Sequence, residues 1–200
     1  MVITTKTKKL NKVKGLYLSA FPKHERLPYF LLKISSLLKG VKFTEYYDND
    51  LFCGFTFTVE TDYTLYVFYF AIPENLRGKG YGTAILTHIK NAYPNKTVTL
   101  NIEPLTENCD NYLERVNRFN FYKRNGFYDS GYTVYDVGGG FTVLYTKTNV
   151  INGTEFTFEP NKYIEVYKKL TLGLWKVKIE KNALWTRFFI FIKVVFFFLF

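Results

Sequence analysis

The residues best suited to chemistry in this 200-residue chain form the run Arg77-Gly78-Lys79-Gly80-Tyr81-Gly82-Thr83. Glycine lets a main chain approach a ligand closely, because no Cβ intervenes. The run leads directly into a segment with helical apolar spacing, and the first N–H groups of a helix have no partner within it. Those donors, with the positive end of the helix dipole, suit a pyrophosphate. A glycine-rich turn before an ordinary helix has the same composition, so the motifs around it must decide.

Two familiar nucleotide motifs fit poorly. A phosphate-binding P-loop needs Gly-x-x-x-x-Gly-Lys-Ser/Thr, and the spacing here differs. A dinucleotide fingerprint needs Gly-x-Gly-x-x-Gly; Gly78 and Gly80 supply two positions, but the third is Thr83. Glu103 does stand about 20 residues downstream, where a ribose-binding acid belongs. A third pattern fits without repair. Arg77-x-x-Gly80-x-Gly82 resembles the Arg/Gln-x-x-Gly-x-Gly/Ala signature with which the GNAT acetyltransferase superfamily holds the pyrophosphate of acetyl-CoA.

The turn needs a strand before it and a helix after it. Leu65 to Ile72 carries no polar side chain except the phenols of Tyr66 and Tyr69, and reads as a strand buried on both faces. Pro73 ends it. Residues 80–93 are predicted as a helix with Ile85, Leu86, Ile89 and Tyr93 on one face. Upstream, Lys42–Tyr47, Phe52–Glu60 and the Leu65–Ile72 strand are joined by short polar turns, which predicts an antiparallel meander. That order counts against a dinucleotide fold, whose glycine loop follows the first strand of a parallel unit. Downstream, Thr97–Ile102 is predicted as a strand parallel to Leu65–Ile72, since a strand–helix–strand crossover returns in the same direction. Two parallel strands inside a mostly antiparallel sheet can splay and open a slot.

The remaining elements are weaker signals. Val13–Leu18 is predicted as a first strand. A helix is expected from Pro28 through Leu38, with Phe30, Leu31, Ile34, Leu37 and Leu38 on its apolar side and Gly40 as its stop. A further helix spans about Cys109 to Asn125, ended by Gly126. Gly131–Val137 and Phe141–Thr146 make a hairpin, Glu155–Phe158 is a short strand candidate, and Asn161–Leu172 is a helix candidate stopped by Gly173.

Phe121-Tyr122-Lys123-Arg124-Asn125-Gly126-Phe127 carries the second signature. It resembles the Tyr-x-x-x-Gly-Phe end of the fourth GNAT helix and lies at the family's distance from the glycine loop. The order of elements also matches, over residues 12–147. The resemblance implies an α+β fold, GNAT-like, with a mostly antiparallel twisted sheet, a central splayed parallel strand pair and flanking helices. It implies acetyl transfer from acetyl-CoA, as cosubstrate and without a metal, to a small-molecule or peptide primary amine in a ternary complex. Cofactor contacts then fall on Arg77, Gly78, Lys79, Gly80, Tyr81, Gly82 and Thr83. A main-chain N–H at Ala71 or Ile72 is the expected oxyanion donor. Tyr122 matches the family's general acid; a phenol with a reference pKa of about 10 is protonated at neutral pH and can donate. Many members place a glutamate base on the central strand, which has none here, so Glu103 at the end of the neighbouring strand is the expected catalytic base. Where the family often has a cofactor-contacting Asn, seven residues before Tyr122, this chain has Arg115. The alternative function is a non-catalytic CoA-binding or protein-interaction module on the same fold.

Charge and cysteine usage narrow the context. The formal charge of +10 sits at the ends: residues 1–14 hold five lysines and no acid, residues 160–200 hold eight Lys/Arg against Glu165 and Glu180, and 15–159 has a net charge of −1. A duplex-binding face is therefore not expected, and nucleic acid is not an expected partner. Cys53 and Cys109 have no metal-ligand spacing and read as thiols of a reduced, cytoplasmic protein. Residues 1–180 are expected to form the acetyltransferase domain and 181–200 a hydrophobic appendage. The run Ala183–Phe200 is interrupted by Arg187 and Lys193, and its uninterrupted apolar stretches fall short of the roughly 20 residues a spanning helix needs. Weak peripheral membrane association through 183–200, packing on the domain and a frameshifted terminus stay open for it, as does a homodimer.

Overall fold

The apolar run predicted as the central strand lies in the middle of an eight-stranded sheet. The computed structural model describes residues 3–7, 12–23, 25–106, 109–136, 139–147, 158–171 and 176–182. Along the chain run β1 (Ile3–Lys6), α1 (Val13–Ala20), α2 (Tyr29–Ser35), β2 (Val41–Asp48), β3 (Leu51–Glu60), β4 (Thr64–Ala71), a 3-10 turn (Glu74–Leu76), α3 (Tyr81–Ala92), β5 (Thr97–Ile102), α4 (Tyr112–Arg124), β6 (Phe127–Asp136), β7 (Gly139–Thr146), α5 (Pro160–Thr171) and β8 (Lys178–Lys181). The strand order is β1-β2-β3-β4-β5-β7-β6-β8. Every neighbouring pair is antiparallel except β4 and β5, which are parallel. This is the expected α+β class with its parallel pair.

Helices cover both faces. On one, α1, α2 and α5 bury Val13, Tyr17, Leu32, Tyr163, Val166, Tyr167 and Leu170 against Phe43, Phe55, Phe57, Tyr66 and Tyr69 of the sheet. On the other, α3 buries Ile85, Leu86 and Ile89 with Leu65, Val67, Val98 and Leu100, and α4 adds Phe119, Phe121 and Tyr122. Each fully buried large apolar side chain stabilises by roughly 1.5–3 kcal/mol relative to exposure. The helix face predicted for α3 is thus the face that packs.

Two expectations fail for physical reasons. Val13–Leu18 is helix, not strand: Val13 and Tyr17 are fully buried at i, i+4 spacing, and a six-residue window is too short for periodicity to separate the two. The helix after Pro28 ends at Ser35, short of Leu38, and turns the other way from the predicted face. Leu32 is fully buried, while Phe30, Ile34 and Leu37 are 61%, 58% and 84% exposed. Tyr29 packs against Phe43 and Tyr17, and with Leu32 one turn on it sets the helix's rotation. The lysine-rich start of the chain contributes a strand that was not foreseen: β1 pairs along β2 with Ile3 opposite Asp48 and Lys6 opposite Glu45. Lysines suit an exposed sheet edge, where they discourage further pairing. The short edge strand β8, paired with β6, was also not foreseen. The hairpin strand β6 starts at Phe127, four residues before its expected start. The candidate strand Glu155–Phe158, apart from its last residue, and the tail 183–200 lie outside the described residues. Among those described, no helix is long and apolar enough to cross a membrane.

Candidate active site

The slot expected from the parallel pair is present. β4 and β5 are in register from Thr64 opposite Thr97 to Val67 opposite Leu100, and pairing stops there. Beyond that point β5 stays with β7 through Asn101 and Ile102, while β4 stays with β3 through Ala71. Between Tyr69 opposite Phe57 and Val67 opposite Thr58, Phe68 is an extra residue. A bulge of this kind bends its strand and increases its twist, which carries β4 away from β5.

A cavity of about 1080 Å³ occupies the gap and has walls from both layers of the fold. On the α3–α4 side they include Arg77, Gly78, Gly80, Gly82, Thr83, Phe121 and Tyr122. On the other side they include Phe21, Glu25, Tyr66, Tyr69, Asp136 and Phe141. Phe68 to Ile72 of β4 and Leu100 to Glu103 of β5 form the opening between them.

The glycine loop is shaped for an anion. Gly78 and Gly80 have φ of +75° and +85°, a left-handed conformation that side-chain-bearing residues rarely adopt. Gly80 is the residue before α3, and no side chain caps that helix start. The loop is tied back to β4 by Arg77, whose Nε donates to the Ile72 carbonyl at 3.4 Å. Gly82 is required for a different reason. A Cβ there would lie 2.9 Å from Cζ of Phe121, so glycine lets α4 close against the first turn of α3. A bound ligand is thereby offered main-chain donors along one wall.

The expected site residues are not all brought together. Ala71, Ile72, Arg77, Gly78, Gly80 and Gly82 line the cavity with Thr83, Glu103 and Tyr122. Lys79 and Tyr81 are not on its wall; Lys79 is exposed, and the Tyr81 hydroxyl donates to Asp48 at 3.5 Å. Tyr122 packs against Phe121 and Phe127, with ring centroids at 5.1 and 5.5 Å. Burial pushes its pKa up to about 12, against the opposing pull of the Arg118 cation, so the phenol stays protonated over the usual range.

Glu103 lines the cavity as a paired carboxylate. Its carboxylate pairs with Arg115 Nη2 at 3.1 Å and with Arg118 Nη1, and accepts from Asn111 Nδ2 at 3.3 Å. Burial alone would raise its pKa, but Arg118, Asn111 and Arg115 together lower it below the usual carboxylate value. Two guanidiniums make a carboxylate a weaker proton acceptor. Arg115 is held further by Asn111 Oδ1 at 2.8 Å and the Pro104 carbonyl at 3.0 Å. This cluster fixes the start of α4 to the end of β5.

On the opposite wall stands a polar network the sequence did not announce. Tyr167 of α5 donates to Asp136 Oδ2 at 3.1 Å and accepts from Asn101 Nδ2 at 2.8 Å. The Tyr66 and Tyr167 hydroxyls are 3.1 Å apart, and Tyr163 donates to Asn101 Oδ1 at 2.6 Å. Tyr69 bonds the loop between α1 and α2, accepting from the Leu27 amide at 3.1 Å and donating to the Glu25 carbonyl at 3.0 Å. Asn101, polar between Leu100 and Ile102, is the sequence signal that could have pointed here.

The fold is that seen in solved acetyltransferases of the GNAT family. The chain is similar to a protein described as a GNAT-family acetyltransferase from Bacteroides thetaiotaomicron, at 22% identity and a TM-score of 0.62 over 89% of this chain and 100% of that one. It is also similar to the ribosomal-protein-S18-alanine N-acetyltransferase of Escherichia coli, at 14% identity and a TM-score of 0.55 over 78% and 100% of the two chains. A Bacillus subtilis acetyltransferase solved in complex with CoA aligns at 16% identity and a TM-score of 0.50, over 72% of this chain and 96% of that one. No family model matches the sequence, and neither does any curated protein. At these identities the likeness establishes the fold.

Proposed function

We propose that the protein is an N-acetyltransferase that moves the acetyl group of acetyl-CoA to a primary amine by direct attack, with both substrates bound. The observation that carries this is a cavity that reaches both layers through the β4–β5 gap, with an uncapped, glycine-shaped helix start on one wall. Glycines at the closest approaches and unpartnered main-chain N–H groups fit a pyrophosphate. Similarity to a fold that elsewhere holds CoA supports the same choice.

Acetyl-CoA supplies a thioester whose carbonyl accepts the amine and whose thiolate departs. Arg77, Gly78, Gly80, Gly82 and Thr83 would bind it, with Lys79 and Tyr81 shaping the loop from outside the wall. A main-chain N–H at Ala71 or Ile72, freed by the loss of β5 pairing, would face the developing oxyanion. Tyr122 would donate the proton that the leaving sulfur takes up, and the proton lost by the attacking amine would pass to solvent water. Glu103, which the sequence suggested as the base, is better suited in this scheme to orienting α4, and its contribution to proton removal would be small. The domain comprises residues 1–180 with 181–200 appended, in a cytoplasmic protein. The acceptor is a small molecule or an exposed peptide amine, and neither a homodimer nor weak membrane association through the tail is required for the chemistry.

The test is thiol release from acetyl-CoA across a panel of primary amines, with the acetylated product identified by mass. Amine-dependent release supports the proposal. Tight CoA binding without turnover on any amine would replace it with a non-catalytic CoA-binding module.

A further inference from the structure

We propose that α2 and the adjoining face of α1 form a membrane-surface site, where Phe30, Ile34 and Leu37 enter the apolar boundary of an anionic bilayer and Lys14, Lys33 and Lys39 meet its lipid phosphates. The inference goes beyond acetyl transfer and does not depend on it.

The helix pair carries apolar side chains on two sides. One side packs: Val13, Tyr17 and Leu32 are fully buried, and the Tyr17 and Tyr29 rings, 5.8 Å apart, join the two helices. The other side carries Leu18, Phe30, Leu31, Ile34 and Leu37, all exposed. Phe30 and Ile34 are one turn apart on α2 and stand on the side away from Leu32. Leu37 follows in the turn that closes the helix, its amide donating to the Ile34 carbonyl at 3.0 Å. Elsewhere among the described residues, exposed large apolar side chains are spread singly along the chain. Single ones need no explanation, but a group of them on one short helix pair marks a surface that meets a partner.

Charge decides what the partner is. Residues 12–39 hold six Lys/Arg against one acid, Glu25, which lies on the wall of the slot. Lys14, Lys33 and Lys39 are exposed. Lys14 shares a face of α1 with Leu18, and Lys33 follows Phe30 by three residues, so the cations stand within the apolar patch. A second copy of the chain would set these lysines against their own kind. The apolar run 183–200 fits no better, because its charges are Arg187 and Lys193 and it holds no acid. The occupant must be anionic and apolar together. A protein face would have to place a carboxylate opposite each covered lysine, since a desolvated ammonium without a partner is costly. A bilayer imposes no such match: a lysine extends its ammonium back to the headgroups while its stem lies along the apolar boundary. Apolar side chains flanked by lysines are the pattern of helices that lie at that boundary on anionic lipid. The loop between α1 and α2 lines the slot through Phe21, Pro22 and Arg26, so docking would hold that rim at headgroup level.

The test is flotation of the full chain with vesicles, one set of phosphatidylcholine and the other an equal mixture with phosphatidylglycerol. The wild type is expected to favour the anionic set by roughly tenfold or more. Phe30→Ser with Ile34→Ser and Leu37→Ser should remove that binding, with the circular dichroism spectrum retained because all three side chains are exposed. Lys33→Glu with Lys39→Glu should abolish the preference for the anionic set, and this variant decides if the triple one fails to fold. No flotation of the wild type with anionic vesicles would overturn the proposal and leave an acidic protein face as the alternative occupant. Undiminished binding by either folded variant would overturn it as well, by moving the lipid contact elsewhere in the chain. So would a wild-type dimer, seen by sedimentation velocity, that the triple variant disperses.

Discussion

On the α3 side the slot is walled by a glycine loop and an uncapped helix start; on the other side its wall is made of side chains, among them Tyr66, Tyr69, Asn101 and Asp136. The two walls therefore store their specificity differently. Main-chain donors are present whatever the side chains, and they need only glycine at the turn and at the contact with Phe121. The wall built of side chains changes with every substitution at Tyr66, Asn101, Asp136 or Tyr167. A fold that keeps one wall and varies the other can hold a constant cosubstrate and change its acceptor.

The largest effect is expected from breaking the main-chain wall. Gly80→Asp places a carboxylate among the amides, in the space a pyrophosphate would fill. CoA affinity should fall beyond calorimetric detection while the circular dichroism spectrum is retained. Retention of wild-type affinity in a folded variant would remove the loop from the site, and tighter binding of NAD would return the dinucleotide alternative.

Next in size is Tyr122→Phe. Loss of the phenol should lower turnover by about 10²–10⁴-fold with acetyl-CoA affinity nearly unchanged, because the ring's volume is preserved. Burial has pushed this phenol up to about 12, so the wild-type rate should show no decline from Tyr122 deprotonation below about pH 11. Full activity in the variant, with chemistry rate-limiting, would make Tyr122 a packing residue.

Much of the main-chain wall was legible in the sequence. Arg77, Gly80 and Gly82 are constrained by local geometry, and a local constraint leaves a pattern at fixed spacing. The central strand was equally clear, since burial on both faces gives an uninterrupted apolar run. The side-chain wall was not legible. Asn101, Asp136, Tyr163 and Tyr167 are separated by tens of residues, and they meet only because β5, β6 and α5 pack together. Glu103 marks the same limit from the other side. Its position after β5 was foreseen, but Arg115 and Arg118 reach it from a helix whose rotation the sequence did not fix. The strand expected where α1 stands and the misjudged face of α2 have a like cause, because short elements take their form and rotation from whatever they pack against.

Smaller effects sharpen the account of Glu103 and Gly82. Glu103→Gln removes a charge that Arg118 and Arg115 hold, and should destabilise the fold at neutral pH by roughly 1–3 kcal/mol. The folded-state pKa is lowered, so this stability is present above the unfolded carboxylate pKa of about 4.3 and is lost as pH falls through the folded value. Denaturant midpoints of the two proteins should therefore converge in acid. An unchanged pH–rate profile in the variant is expected as well; a flattened acidic limb would restore Glu103 as the base. Gly82→Ala should give the smallest change. Helix propensity favours alanine by about 1 kcal/mol, and the contact with Phe121 opposes it by roughly 1–3 kcal/mol. A net loss is expected, recovered in Gly82→Ala with Phe121→Leu.

The most direct test of the glycine loop as the cosubstrate wall is an amide NMR titration with CoA. CoA should shift the N–H resonances of Gly80, Tyr81, Gly82 and Thr83 and leave those of β1 in place. Shifts from CoA that avoid the glycine loop would contradict the account.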